Sequence, residues 1–264
     1  PPRSTQIARR QRQMCIRDRC RLSSAKVKIF KHNDMDDLES KIKKTNGKKF
    51  IVSEGVFSMD GDLAKIKEIT EISSKYDGIT ILDDAHGDFV FGKDGKGTAS
   101  QFGVSRKIDL YISSLSKGLG SFGGYVSSQK NVIELCINRS KSFIYTSALP
   151  SAIIEFTLKR FNSNREKNRK KLWENIKLLH SGLEEIGYET SSVSQIIPII
   201  IGDEKTTMKF GKYLFKNGIF AQPIRYPTVK KNSARIRLSV TAWHTKNDIT
   251  ETLSILEKCA KKFR

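Results

Sequence analysis

The sequence predicts an α/β protein: a larger first part built on a mostly parallel sheet, and a smaller α/β domain after it. Three observations carry this. From Lys26 onward, short β-rich runs alternate with amphipathic helical patterns, the signature of a doubly wound parallel sheet. Several of the apolar runs lead straight into small polar clusters, as strands do where they deliver side chains to a binding edge. Beyond Gly187 the order becomes a buried apolar run, a helix, an alternating strand and a last helix, enough for a second unit.

The elements follow in order. VKIF (27–30) is β-rich, and a helical stretch through Leu38 and Ile42 comes next. Asn46-Gly47 marks a turn, and KFIVSEG (49–55) is a strand. Asp62 is placed to cap a helix with apolar residues Leu63, Ile66, Ile69, Ile72 and Tyr76, which Asp77-Gly78 closes. ITIL (79–82), LYISS (110–114) and GGYVSS (123–128) are three further strands. One long helical stretch covers about 151–186. IIPIII (196–201) is a buried strand despite Pro198, and a helix near 206–216 ends at Asn217-Gly218. RIRLSV (235–240) alternates charged and apolar residues, as a sheet with one covered face does. The last helix opens at Thr245 with Asp248 in the capping-box position, and Ile249, Leu253, Leu256 and Phe263 share one apolar face.

At 264 residues the chain can bury a core and form two domains. The expected division is 1–19, 20–150 and 151–264. Residues 1–19 have no hydrophobic period of either kind, and their string QRQMCIRDR resembles a translated sequencing-adapter read-through. A disordered basic arm has the same composition, so this segment is read as non-native or disordered and left out of the fold. Part of the formal charge of +20 sits there, and the rest is mostly lysine scattered over helix faces. Scattered lysine is the mark of a solvated surface more than of a nucleic-acid footprint, and a few of these charges suffice for an anionic substrate or cofactor. No apolar run is long enough for a bilayer, and no apolar segment of a signal peptide follows the basic start. Cys15, Cys20, Cys136 and Cys259 show no metal-type spacing, so reduced thiols, no metal site and a cytoplasmic location are expected.

Three polar clusters follow strands: Ser58 after 49–55, Asp83 and His86 after 79–82, and Ser114 with Lys117 after 110–114. If the sheet is open and parallel they face one edge. Each alone has an ordinary reading. A carboxylate at a strand end can cap a helix, a single histidine can be structural, and Lys117 is one lysine among many. GLGSFGG (118–124) is a phosphate-cradling loop or a flexible turn.

Together they say more. EGVFSMDGD (54–62), LDDAHG (82–87), SSLSKGLGSFGGY (113–125), FIYTSALP (143–150) and RIRLSVTAWHT (235–245) occur in this order. The set resembles the α-oxoamine synthases, fold type I (aspartate-aminotransferase-like) pyridoxal-phosphate enzymes, over essentially everything from Cys20 to Arg264. The resemblance implies a partial large domain that binds pyridoxal 5'-phosphate and a smaller C-terminal domain. It implies Lys117 as the Schiff-base lysine, Asp83 as the carboxylate on the pyridine nitrogen, and His86, beside Ser58, on the phenolic oxygen. Ser114 and, from a partner subunit, Ser147 match phosphate contacts, which implies a homodimer with shared sites. Arg237 matches the arginine that holds the amino acid's carboxylate, for which a planar fork is suited, and Arg225 a second arginine near the acyl group. For both arginines a surface ion pair is the ordinary alternative.

Within the group, DDAHG and EGVFSMDGD are most similar to the members that condense L-alanine with a pimeloyl thioester in biotin synthesis, the acyl group carried by coenzyme A or acyl carrier protein. The glycine C-acetyltransferases are the nearest alternative. A basic nucleic-acid-binding protein and an inactive partner subunit are readings of other kinds, and Lys117 speaks against the second. Asp88 and Phe89 stand where the family commonly has Thr-Gly. The family also carries more than a hundred residues ahead of the matching region, with the segment that admits substrate, a glycine-rich phosphate turn and a histidine that stacks on the cofactor. The expectation is therefore an enzyme of which this chain is an N-terminally truncated fragment with little or no activity.

Overall fold

The structure, a computed structural model, describes residues 15–263, with Cys15 and Arg17 described by backbone alone. Most of the basic first segment, residues 1–14, lies outside the described residues. Its last five residues differ from the expectation of disorder, because helix α1 (Cys15–Leu22) runs through them. The helix gains an i,i+3 ion pair, Asp18 to Arg21 at 3.6 Å, and its basic last turn suits the negative end of the helix dipole.

The described residues fall into two compact units. One comprises Phe30–Ser58 and Asp62–Lys170, and the other comprises residues 15–29, Met59–Gly61 and 171–263. The division in the C-terminal half thus falls inside a helix and not at 150/151.

The first unit is built on a four-stranded sheet of β1 (Lys49–Glu54), β2 (Gly78–Asp83), β3 (Leu110–Ser114) and β4 (Gly124–Ser128), in that spatial order. β1, β2 and β3 are parallel and β4 is antiparallel to β3, so the mostly parallel sheet holds. Helices α2 (Met35–Lys43), α3 (Ile66–Lys75) and α4 (Gly97–Gln101) follow the strand pattern. Leu38 and Ile42 of α2 and Ile66 and Ile69 of α3 are buried with Ile51 of β1 and Leu82 of β2 in one core. Asp34 caps α2, its Oδ1 accepting the Asp37 amide at 2.9 Å. Beyond β4 come α5 (Lys130–Arg139), α6 (Lys141–Ile144), α7 (Ser151–Asn162) and the start of α8 (Glu166–Glu185).

Three expectations are corrected here. Residues 27–30 form no strand: Val27 and Ile29 stay exposed, and neither sheet of the described residues includes them. Asp62 caps no helix. The bridge between Val56 and Leu63 holds the intervening turn open, so α3 starts only after Lys65. The Asp62 carboxylate instead lies 2.8 Å from His32 Nε2 and accepts from Asn33 Nδ2 at 3.1 Å. The long stretch 151–186 is two helices, because Ser163 turns extended and Asn164 Oδ1 accepts the Glu166 amide at 3.0 Å to start α8.

In the second unit β5 (Ile196–Gly202), β6 (Gln222–Ile224) and β7 (Ala234–Ser239) form an antiparallel sheet of order β5-β7-β6. β5 is an edge strand, which is why Pro198 is tolerated in it. Leu183 of α8, Phe210 and Leu214 of α9 (Glu204–Lys216) and Leu256 and Cys259 of α10 (Lys246–Phe263) close its core over Ile197, Ile199 and Ile236. The capping box of α10 is formed: the Thr245 amide donates to Asp248 Oδ2 at 2.7 Å and the Asp248 amide to Thr245 Oγ1 at 3.2 Å. β6 gave no sequence signal, since three residues with a central proline carry no period.

Candidate active site

Because β1, β2 and β3 are parallel neighbours, their carboxyl ends open on one edge of the first unit's sheet. Asp83 is the last residue of β2, Ser114 the last of β3, and Ser58, His86 and Lys117 lie three or four residues past their strands. The structure therefore brings Ser58, Asp83, His86, Ser114 and Lys117 to one edge. Asp83 Oδ1 accepts the Ala85 amide at 3.1 Å, which turns the chain sharply at the end of β2. Ser114 Oγ lies 2.8 Å from Ser116 Oγ. Lys117 is exposed on a loop that folds on itself: the Leu115 amide donates to the Gly123 carbonyl at 3.0 Å and the Ser121 amide to the Leu115 carbonyl at 2.8 Å.

Sequence reasoning passed over a charge at this edge. Glu54 ends β1 in register with Asp83, and its Oε2 accepts the Ser58 amide at 2.9 Å. Burial raises the Glu54 carboxyl above its ordinary value; the Ser58 amide works against this, the Asp83 charge adds to it, and the Lys117 charge opposes it. Glu54, Asp83 and Lys117 thus form one electrostatic group. The only signal for Glu54 was its place at the head of EGVFSMDGD.

Asp84, also passed over, has the opposite placement. Side chains alternate along a strand, and where Asp83 is partly exposed Asp84 is fully buried. It accepts from the Thr98 amide (2.7 Å), Thr98 Oγ1 (2.8 Å) and Tyr111 Oη (2.9 Å). A Cβ added at Gly55, Gly87 or Gly97 would run into its carboxylate, so three glycines of this chain exist to make room for one side chain. Burial pushes its carboxyl up to about 6, in spite of the three donors.

The other expected residues lie elsewhere. Ser147 is exposed on the segment between α6 and α7. Arg225 and Arg237 belong to the second unit. Arg225 is exposed just past β6. Arg237 sits within β7 opposite Pro198 and Gln222, and burial lowers its guanidinium from its ordinary value. Arg235, two residues earlier, is buried and paired with Asp60, so it is spoken for structurally. Among the described residues no group of three His, Cys, Asp or Glu could hold a metal ion, and no helix is long and apolar enough to cross a membrane.

A lysine, a carboxylate and a histidine at the carboxyl edge of a mostly parallel sheet, in a chain that ends in a smaller antiparallel unit, are the arrangement that the resemblance to the fold type I enzymes implies. The profile described as "Aminotransferase class I and II" matches residues 16–256, and the chain belongs to that family. It is 44% identical over 253 residues to an 8-amino-7-oxononanoate synthase of Thermoanaerobacter pseudethanolicus, covering 94% of this chain and 64% of the relative. A synthase of the same name from Treponema denticola is 40% identical with the same coverage. The chain thus spans about 64% of the length of these curated relatives. Among solved structures, the 8-amino-7-oxononanoate synthase of Francisella tularensis superposes with a TM-score of 0.80 at 29% identity, over 94% of this chain and 72% of that one. The serine palmitoyltransferase of S. paucimobilis, solved with PLP and myriocin bound, superposes with a TM-score of 0.83 at 26% identity, over 89% and 61%.

Proposed function

We propose that the protein is a pyridoxal-phosphate-dependent acyltransferase of the α-oxoamine synthase group, an 8-amino-7-oxononanoate synthase. It joins L-alanine to a pimeloyl thioester, on coenzyme A or acyl carrier protein, with loss of carbon dioxide and the thiol carrier, in biotin biosynthesis. The observation that carries this is the shared strand edge of Lys117, Asp83 and His86 in a chain 44% identical to a synthase of that name.

The residues at the edge fit the cofactor chemically: an exposed amine for an aldehyde, a strand-end carboxylate for a pyridine nitrogen, an imidazole for a phenolic oxygen, and the Ser58 and Ser114 hydroxyls for polar contacts. When bound, pyridoxal 5'-phosphate supplies an electron sink for a carbanion at the amino acid's α-carbon. Lys117 would hold the cofactor through its Nζ, and the same amine is the group that would take or return a proton at the substrate α-carbon. Asp83 would keep a proton on the ring nitrogen, and His86 would donate to the phenolic oxygen. Glu54, the register partner of Asp83, has its carboxyl raised by burial and by that neighbour, and so leaves Asp83 as the carboxylate for the ring nitrogen. Arg237 offers its fork to the substrate carboxylate and Arg225 a charge to the acyl portion.

The reading includes a cytoplasmic homodimer in which Ser147 reaches the partner subunit's cofactor phosphate. In its support, Leu135, Phe143, Ile144, Phe156 and Phe161 of α5, α6 and α7 are all exposed, more apolar side chain than a free surface usually shows. The lysine-rich surface serves anionic substrates and no nucleic acid.

The test is turnover by the protein with alanine and pimeloyl-CoA against glycine and acetyl-CoA. Release of carbon dioxide and free thiol with the first pair supports the reading. Preference for the second pair replaces it with a glycine C-acetyltransferase, and binding to neither, with steeply salt-dependent binding to DNA, removes the enzyme reading.

A further inference from the structure

The turn after β2 carries a second buried carboxylate, Asp88. It is 4% exposed. Its Oδ2 accepts from Ser113 Oγ at 2.7 Å and from Tyr125 Oη at 2.6 Å, and its Oδ1 from the Phe89 amide at 3.1 Å. Ser113 lies in β3, which enters the Lys117 loop, and Tyr125 lies in β4, which leaves it. One carboxylate therefore ties both stems of that loop to the turn that holds His86.

The backbone makes a second contact. A Cβ on Gly118 would stand 2.5 Å from the Asp88 carbonyl oxygen and 2.9 Å from Phe89 Cβ, so the residue after Lys117 lies directly on the Asp88-Phe89 peptide. Phe89 has φ +64, a left-handed conformation that a bulky residue rarely takes. It is held there by its amide, which also donates to the Gly95 carbonyl at 2.8 Å, and by its ring. The ring is buried, meets Phe161 edge-on at 6.3 Å, and has the Arg165 guanidinium 5.3 Å from its centroid. The surface under Gly118 is thus fixed from several sides. A strained backbone that its surroundings over-determine is characteristic of a functional constraint.

We infer that Asp88 is a positioning residue for Lys117: by joining Ser113, Tyr125 and the Phe89 turn, it fixes the stems and the floor of the loop that carries the lysine amine. Asp88 touches no substrate in this role, and its importance for catalysis rests on the reading of Lys117 given above.

Hydrogen exchange read by mass spectrometry on the whole chain tests it, with peptides covering 115–123 and, as reference, β1. Asp88→Ala removes a charged acceptor for two hydroxyls, and the loop amides are expected to exchange about tenfold faster while β1 is unchanged. Asp88→Asn keeps one carbonyl acceptor and is expected to restore part of the protection. Tyr125→Phe alone is expected to speed the loop by a few fold, and to add nothing in the Asp88→Ala background, since both remove the same link. The same proteins are then mixed with pyridoxal phosphate and borohydride, and the trapped Lys117 peptide is quantified against time. Slower trapping in Asp88→Ala, partly recovered in Asp88→Asn, supports the inference. Unchanged loop exchange, equal acceleration in β1, or additive effects of the Asp88 and Tyr125 substitutions overturns it. If the unsubstituted protein traps no cofactor at Lys117, the functional reading fails, and the exchange result still decides whether Asp88 holds the loop.

Discussion

Glu54 and Asp83 are register partners at the carboxyl ends of β1 and β2, so two carboxylates of adjacent strands meet at the edge to which Lys117 is also delivered. Like charges side by side disfavour the ionised form of one member. Here the member affected is Glu54, whose carboxyl is raised first by burial and then, against the Ser58 amide, by Asp83. A fold that only needed a stable strand end would place a neutral side chain there.

The first expectation concerns this pair. In Asp83→Asn the repulsive charge is gone, and the Glu54 carboxyl is expected to titrate at lower pH than in the unsubstituted protein. It should remain above the ordinary glutamate value, because burial is the larger cause. Carbon-detected NMR of the Glu54 carboxyl during a pH titration reads this directly. No movement on substitution would mean that the two carboxylates do not sense one another.

Lys117→Ala separates chemistry from folding. Lys117 is exposed, and loss of an exposed side chain changes stability by less than about 0.5 kcal/mol. The urea midpoint is expected to stay in place. Incubation with pyridoxal phosphate and borohydride, followed by digestion, is expected to label the peptide containing residue 117 in the unsubstituted chain and to leave it unlabelled in Lys117→Ala. Labelling spread evenly over many lysines would take away the special status of this one.

The Asp84 carboxyl gives a pH dependence with a definite sign. Its value rises from an ordinary 3.8 to about 6, so the folded chain holds this proton more tightly than the unfolded chain. Between about pH 4 and pH 6 the native state binds more protons, and stability is expected to fall as pH rises through that window. The full effect of such a shift is about 3 kcal/mol, present as a penalty above pH 6 and absent below pH 4. Asp88 is also raised by burial and acts in the same direction. Chemical denaturation at pH 4.5 and pH 7 measures the difference. Asp84→Ala is expected to be worse than either, since it leaves the Thr98 amide, the Thr98 hydroxyl and the Tyr111 hydroxyl without their acceptor in a buried site.

Much of the fold and part of the site were legible because they rest on local pattern. The strands 79–82 and 110–114 announce themselves by apolar runs, and the Thr245–Asp248 box by two residues at fixed spacing. The edge that collects Asp83, His86 and Lys117 needed only the parallel order that alternating strands and helices imply. What was not legible rests on contacts between distant segments. Asp62 has the chemistry of a helix cap, but the bridge of Val56 to Leu63 spends that turn otherwise. Residues 27–30 have β propensity and no ladder to join. Asp84 and Asp88 look like any surface carboxylates until the sheet places Thr98, Tyr111, Ser113 and Tyr125 around them, and Arg235 is told from Arg237 only by Asp60.

Gly118 and Gly120 flank one residue of the Lys117 loop, and the structure requires glycine at each for a different reason. Gly120 has φ +71, and the nearest atom to an added Cβ is Arg160 Nη2 at 3.9 Å. Space is available and only the backbone conformation objects, at about 1–2 kcal/mol for an ordinary L residue. Asparagine visits that conformation more readily, so Gly120→Asn is expected to cost less than Gly120→Ala. At Gly118 the obstacle is the Asp88 carbonyl oxygen, 2.5 Å from the added Cβ, a backbone atom that cannot swing aside. There Gly118→Ala is expected to cost about 1–3 kcal/mol through overpacking, and Gly118→Asn at least as much, because a larger side chain enters the same contact. Urea midpoints of the four variants give the ranking. If asparagine relieved position 118 as it relieves position 120, the loop would not rest on the Asp88-Phe89 peptide, and the floor assigned to Lys117 would lose its physical basis.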